Sequence, residues 1–270
     1  MLSGIGPQEH LETLGIPVVA NIAGCGKNML DHSILSTEHR VDCSIPAHNQ
    51  IFANPELLAD AEAQYARDRT GPLSTFGSSG AVAFPRIEKM YRSTEFQDLD
   101  ASTQAHLLEP TRPSTEIWLG SGPSAYRGKV HAEESYMTFG LLLQNNLLRG
   151  TISLRSDKPR DLPVIDPNFL AYPFDRRIAI ETVGEALRLG EAMAYSDAIE
   201  EMAHGPEDVN DDDSILEFVR ANLGQGYHSM GTCKMGREDD EMRVVDADFR
   251  VRSVQGLRVA DLSVCPILTW

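Results

Sequence analysis

The sequence predicts a mixed α/β fold of the α+β kind, with an antiparallel sheet flanked by helices in its middle. Three observations point there: four helix-like stretches marked by apolar spacing or by caps and stops, two strand-like runs near mid-chain, and no repeat or low-complexity segment. In chain order, residues 7–14 read as a short helix, with Pro7 at its first position, Leu11 and Leu14 on one face and Gly15 as the stop. "IPVVANIAGCGKNMLDH" follows as a short strand and a glycine-rich loop from Gly24 to His32. Asn54 and Pro55 open a second helix over about 55–69, closed by "TGPLS". Residues 74–130 scatter prolines and serines between short apolar runs and resist assignment. "SYMTFGLLLQ" (135–144) and "GTISLRS" (150–156) are expected as strands of one antiparallel ladder. A long helix is expected from about Asp175 to Glu201, on the spacing of Ile180, Val183, Leu187 and Ala194. A last helix covers about 214–223, with Ser214 and Glu217 spaced as a capping box and Gly224 at its end. "FRVRSV" and "LRVAD" then read as two short strands.

Composition narrows the function. A hydrophobic fraction of 41% beside a charged fraction of 24% is that of a globular protein able to build one large domain or two smaller ones. The balance of 24 basic against 40 acidic residues, a formal charge of −16, argues against a nucleic-acid partner, and no basic stripe interrupts it. No apolar run is long enough to cross a bilayer, so no membrane role is expected. Cys25, Cys43, Cys233 and Cys265 are far apart and form no C-x-x-C pair, which argues against a zinc ribbon or a disulfide scaffold. No N-x-S/T sequon occurs, and "MLSGIGPQEHLETLGI" carries no signal-peptide pattern.

Chemistry concentrates in "GYHSMGTCKMG", residues 226–236. A metal site would use His228, Cys233 and Met235, yet a copper site wants a second histidine and a zinc site four ligands in recognisable pairs, so no metal is expected. Two readings stay open on spacing alone. One is a tight turn built on Gly224, Gly226 and Gly231, with Cys233 as a small buried hydrophobe. The other is a histidine held on that turn as a base, since imidazole is the side chain that takes up a proton near neutral pH.

The wider pattern adds to this. "HSMGTCKMG", then "VVDADFRV" and "GLRVADLSVCP", closely resembles the C-terminal part of the glucose–methanol–choline (GMC) oxidoreductases, which reads H-x-x-G-T-C-x-M-G, V-V-D and G-L-R-V-x-D-x-S-x-x-P. "RGTISLRSDKPRDLPVIDPNFL", "RTGPLS", "LSGIGPQEHLETLGIPVV" and "GCGKNMLDH" are similar to further family segments, all in family order from residue 2 to residue 266. The resemblance implies a flavoprotein with FAD as cofactor and a small-molecule alcohol as substrate. It implies that His228 takes the hydroxyl proton while the carbon-bound hydrogen leaves as hydride to the flavin. Asp261 and Leu262 match the stretch that runs beside the flavin, so the resemblance implies cofactor contact for both; by itself Asp261 reads equally as a cap carboxylate. Asp31 and His32 are expected to organise their loop.

The resemblance covers nearly all of this chain and about the C-terminal half of the family, so a truncated member is expected. The family's strand, G-x-G-x-x-G turn and helix would precede Met1, and a second active-site histidine or asparagine would follow "CPILTW". "GSGPSA" at 120–125 imitates the turn, but Pro123 sits within it and no amphipathic helix follows. The expected domains are a partial FAD-binding domain over 1–40, a substrate domain over 41–204, and a return to the FAD-binding domain with the histidine segment over 205–270. An inactive remnant associating with a full-length relative, and a relative performing a non-redox cyclisation, are the alternative expectations.

Overall fold

In the computed structural model, residues 1–42, 47–74, 79–123, 134–192 and 197–268 are described. They form two units, the first from residues 1–33, 144–176 and 225–270, the second from 34–143 and 177–224.

The first unit holds short elements. Strand β1 (Ile5–Gly6) lies parallel to β2 (Ala20–Asn21), and helix α1 (Gln8–Thr13) connects them. Pro7 is the residue before α1 and not its first one, and Gly15 turns the chain out at φ +70°. The apolar pieces meet as Ile22, Val244, Val245, Val251 and Val264, with Cys25 and Cys233 packed against them. Strand β7 (Thr151–Ser153) pairs antiparallel with β8 (Val164–Asp166). The expected ladder between 135–144 and 150–156 is therefore corrected. Residues 144–150 leave the second unit's sheet, because Asn146 donates to Ser33 Oγ at 3.0 Å and Gly150 pairs backbone to backbone with Met29. "FRVRSV" and "LRVAD" form isolated bridges, Val245 to Val251 and Arg250 to Arg258, and no strand.

The second unit is the antiparallel sheet with helices. Strand β3 (Ser33–Val41) neighbours β6 (Ser135–Leu143), which pairs with β5 (Thr115–Ser121), which pairs with β4 (Ser79–Ala83). On the other side of β3 runs β9 (Ile199–His204), antiparallel, with register shifts after Glu38 and Arg40. Thr115 to Ser121 thus supplies a strand inside the stretch that resisted assignment. Gly120 lies in that strand, while Ser124 and Ala125 of the imitation turn lie outside the described residues. Gly140 of β6 leaves the space that the Trp118 indole fills, since a Cβ there would run into its ring.

Helices α2 (His48–Ala53), α3 (Pro55–Asp68), α4 (Thr94–Gln97) and α5 (Ala101–Leu107) precede β5. Helix α3 begins where expected: Asn54 Oδ1 accepts from the Glu56 and Leu57 N–H groups, a cap worth about 1 kcal/mol. Helix α6 (Pro173–Gly190) stops well short of Glu201, whose residue belongs to β9; Ala194 lies outside the described residues. Helix α7 (Asp212–Asn222) is capped by Asp211, whose carboxylate accepts from the Asp213 and Ser214 N–H groups, so Ser214 is inside the helix and not its cap. No helix among the described residues is long and apolar enough to cross a membrane.

The unit boundaries differ from the expected segments 1–40, 41–204 and 205–270. Residues 144–176 join the two ends instead of the middle, through the Gly150–Met29 pairing and the Ile152 N–H bond to Gly26 at 2.7 Å.

Candidate active site

Three stretches, far apart in sequence, lie side by side in the first unit: 24–32, 226–236 and 261–268. Leu30 and Met230 exchange two backbone hydrogen bonds of 2.9 Å, and Gly26 N–H donates to the Thr232 carbonyl at 2.8 Å. On the other side, Cys233 N–H donates to Ser263 O and Met235 N–H to Val264 O, both at 2.8 Å. Leu30, Met230 and Leu268 bury the seam between them.

Such close backbones explain the glycines. Gly231 has φ +86°, and a Cβ on it would meet the Asn28 carbonyl oxygen. A Cβ on Gly24 would run into the Met242 carbonyl.

The sequence-predicted base sits on this frame. His228 and its neighbours Tyr227 and Ser229 are exposed, whereas Asp31 is 0% and His32 4% exposed. The Asp31 carboxylate accepts from the His228 backbone N–H at 2.9 Å and from the Ser229 hydroxyl at 2.7 Å. His32 Nδ1 stands 2.8 Å from His228 Nδ1, with the two rings edge to face. Burial, then the charge His228 can carry, pulls the His32 pKa down to about 4, with the Asp31 carboxylate opposing. Hence His32 is neutral at ordinary pH.

Asp261 caps a short 3₁₀ turn, Leu262–Val264, by accepting from Ser263 N–H at 2.8 Å. Hydrogen bonding from Ser263 holds its carboxyl below the usual range. Leu262 is 50% exposed, and its carbonyl accepts from Gly231 N–H at 3.4 Å, which brings it to the histidine loop. The residue that sequence reasoning missed as a partner of His228 is His32: a separation of 196 residues carries no spacing signal. Among the described residues no three His, Cys, Asp or Glu side chains are grouped to hold a metal ion.

Comparison with known proteins bears on the fold and the family. A family model described as GMC oxidoreductase matches residues 147–269. A glucose methanol choline oxidoreductase of Aspergillus terreus is 34% identical over 270 residues, covering 99% of this chain and 42% of that protein. A versicolorin B synthase of Aspergillus parasiticus is 32% identical over 274 residues, covering 98% of this chain and 40% of that protein. Among solved structures, a variant of Aspergillus oryzae formate oxidase, studied for FAD modification, superposes with a TM-score of 0.87 at 23% identity. That match covers 99% of this chain and 47% of the other and shows a shared fold. The chain spans less than half the length of these relatives. Residues 147–269 match the GMC oxidoreductase model, and over nearly its whole length the chain belongs with the C-terminal part of that family.

Proposed function

We propose that this chain carries the proton-accepting side of a flavin-dependent oxidation of a small-molecule alcohol, with His228 as the base. One arrangement supports it: an exposed imidazole whose backbone N–H, following serine hydroxyl and Nδ1 are held by the buried Asp31 and His32. An alcohol carbon releases hydride readily only as its O–H proton departs. A fixed imidazole with one ring nitrogen turned over to a neighbour and the other left for substrate suits that task.

FAD, when bound, would supply the acceptor for the carbon-bound hydrogen. The residues here suit its ring end: His228, with exposed Leu262 and the Asp261-capped turn, gives an open apolar and hydrogen-bonding edge. They do not suit its diphosphate. Gly24, Gly26 and Gly231 each face this chain's own carbonyl groups, of Met242, Ile152 and Asn28, so none opens a cradle for phosphate. Asp261 and Leu262 are the residues that would touch the ring.

Exposed Val19, Leu162, Ile165 and Leu262 in the first unit favour a second reading, a non-catalytic chain that associates with a full-length relative. One experiment separates the two. The chain is mixed anaerobically with FAD and a series of primary alcohols, and the loss of visible flavin absorbance is followed. The native chain should bleach the flavin, and His228→Ala should slow this about 10²–10⁴-fold. Equal rates refute the base assignment. A chain that takes up no flavin refutes oxidation by this chain alone and leaves the second reading.

A further inference from the structure

The contact between His32 and His228 is between like atoms, Nδ1 to Nδ1 at 2.8 Å. A separation that short holds one proton and one lone pair. Two lone pairs would repel, and two N–H groups would collide. Only two assignments satisfy it while both rings are neutral, and they differ in what His228 can do.

In the first, His32 donates and His228 Nδ1 accepts. The single proton of neutral His228 then sits on Nε2, and its one lone pair is occupied by His32. Such a ring has no nitrogen left for an alcohol proton. In the second, His228 donates its Nδ1–H and His32 Nδ1 accepts. The lone pair of His228 is then on Nε2, and taking up a proton there leaves the Nδ1–H···Nδ1 bond as it was. Nothing has to rotate or exchange when the imidazolium forms.

Only the second leaves His228 able to act as a base, so that reading chooses between them. For its Nδ1 to accept, the proton of neutral His32 must sit on its other ring nitrogen, Nε2. The ring is 4% exposed, and the carboxylate next to it, Asp31, is already engaged by His228 N–H and Ser229 Oγ–H. A buried neutral His32 with its proton on Nε2 presents a bare Nδ1 to the catalytic loop.

We propose that His32 is a positioning residue, accepting the Nδ1–H of His228 and so holding His228 in the tautomer whose Nε2 lone pair is open to substrate. This rests on the reading of His228 as the base, but it is tested without turnover. Long-range ¹H–¹⁵N spectra of the ¹⁵N-labelled full chain, near neutral pH and without flavin or alcohol, report which ring nitrogen carries each proton. His32→Phe and His228→Gln provide the assignments.

The native chain should show His228 protonated on Nδ1 and His32 on Nε2. In His32→Phe, His228 should shift toward the Nε2–H form that an unconstrained histidine side chain prefers. In His32→Asn, whose amide oxygen can stand where Nδ1 stood, the Nδ1–H form should return. A native His228 protonated on Nε2 overturns the proposal, as does a His32→Phe chain with His228 unchanged. If His32→Phe does not fold, the native spectrum decides alone. The two readings fail separately: Nδ1–H on His228 together with undiminished oxidation by His228→Ala would sink the base and leave the positioning intact.

Discussion

Asp175, near the start of α6, is 1% exposed, yet it is a carboxyl group. Its Oδ1 accepts from Leu147 N–H at 2.7 Å. Burial raises its pKa from the ordinary 3.8 to about 7, against the pull of that bond, of Leu148 N–H and of Arg149 and Arg176. A carboxyl whose folded pKa lies above its unfolded one contributes stability that is fully present below the unfolded value. That contribution is lost as pH rises through the folded value. A roughly thousandfold gain in proton affinity, at about 1.36 kcal/mol for each factor of ten, sets the loss at roughly 4 kcal/mol between about pH 4 and pH 8. Asp175→Asn mimics the protonated form, since its amide oxygen still accepts from Leu147, and removes the titration. Urea melts of both proteins across this range give the difference. The variant should match the native chain near pH 4 and exceed it by up to about 4 kcal/mol at pH 8. His32 acts in the opposite sense, its lowered pKa giving stability that is lost as pH falls from 6.5 through about 4, but it is common to both proteins and cancels. A constant difference between the two proteins over the whole range would refute the reasoning.

The Cys233 thiol is drawn down to about 6, first by its hydrogen bond with Cys25, then by Ser263, while the Cys25 thiol is pushed up. At pH 7 Cys233 should be alkylated by iodoacetamide well ahead of Cys25, and Cys25→Ala should slow Cys233 roughly tenfold, read by peptide mass spectrometry. Asp31→Ala strips the acceptor from two hydrogen bonds and should cost roughly 3 kcal/mol in a urea melt. Gly24→Ala sets a methyl against the Met242 carbonyl and should cost about 1–3 kcal/mol. At Gly15, with open space and φ +70°, alanine should cost only about 1 kcal/mol in the same assay.

Local chemistry was legible where neighbouring residues decide it. Asn54–Pro55 announced α3 because the cap and the helix it caps adjoin, and Gly15 announced the end of α1 for the same reason. Local rivals blurred other ends. Asp211, Asp212 and Asp213 stand in a row before Ser214, and the first of them took the cap. Strand β5 was hidden because its stabilising partners are on β4 and β6, and Glu116 and the nearby Pro113 disguise its alternation. The pairing of β7 failed for the same cause, since nothing in "GTISLRS" says that β8 is its neighbour. At the site, the motif singled out His228 but not what grips it, because Asp31 and His32 reach it only through the fold.

The first unit is stitched from three separate lengths of chain, with 34–143 and 177–224 intervening. Each stitch closes a loop of more than forty residues, so its entropy is spent before its contacts form. During synthesis the loop bearing Asp31 and His32 leaves the ribosome long before its partner at 226–236 exists. Until then two buried polar side chains and the apolar Leu30 stand open to solvent, proteases and chaperones. The grip on the histidine thus cannot form until residues 226–236 have been made, and a nascent chain stalled before residue 225 lacks the partner that covers them.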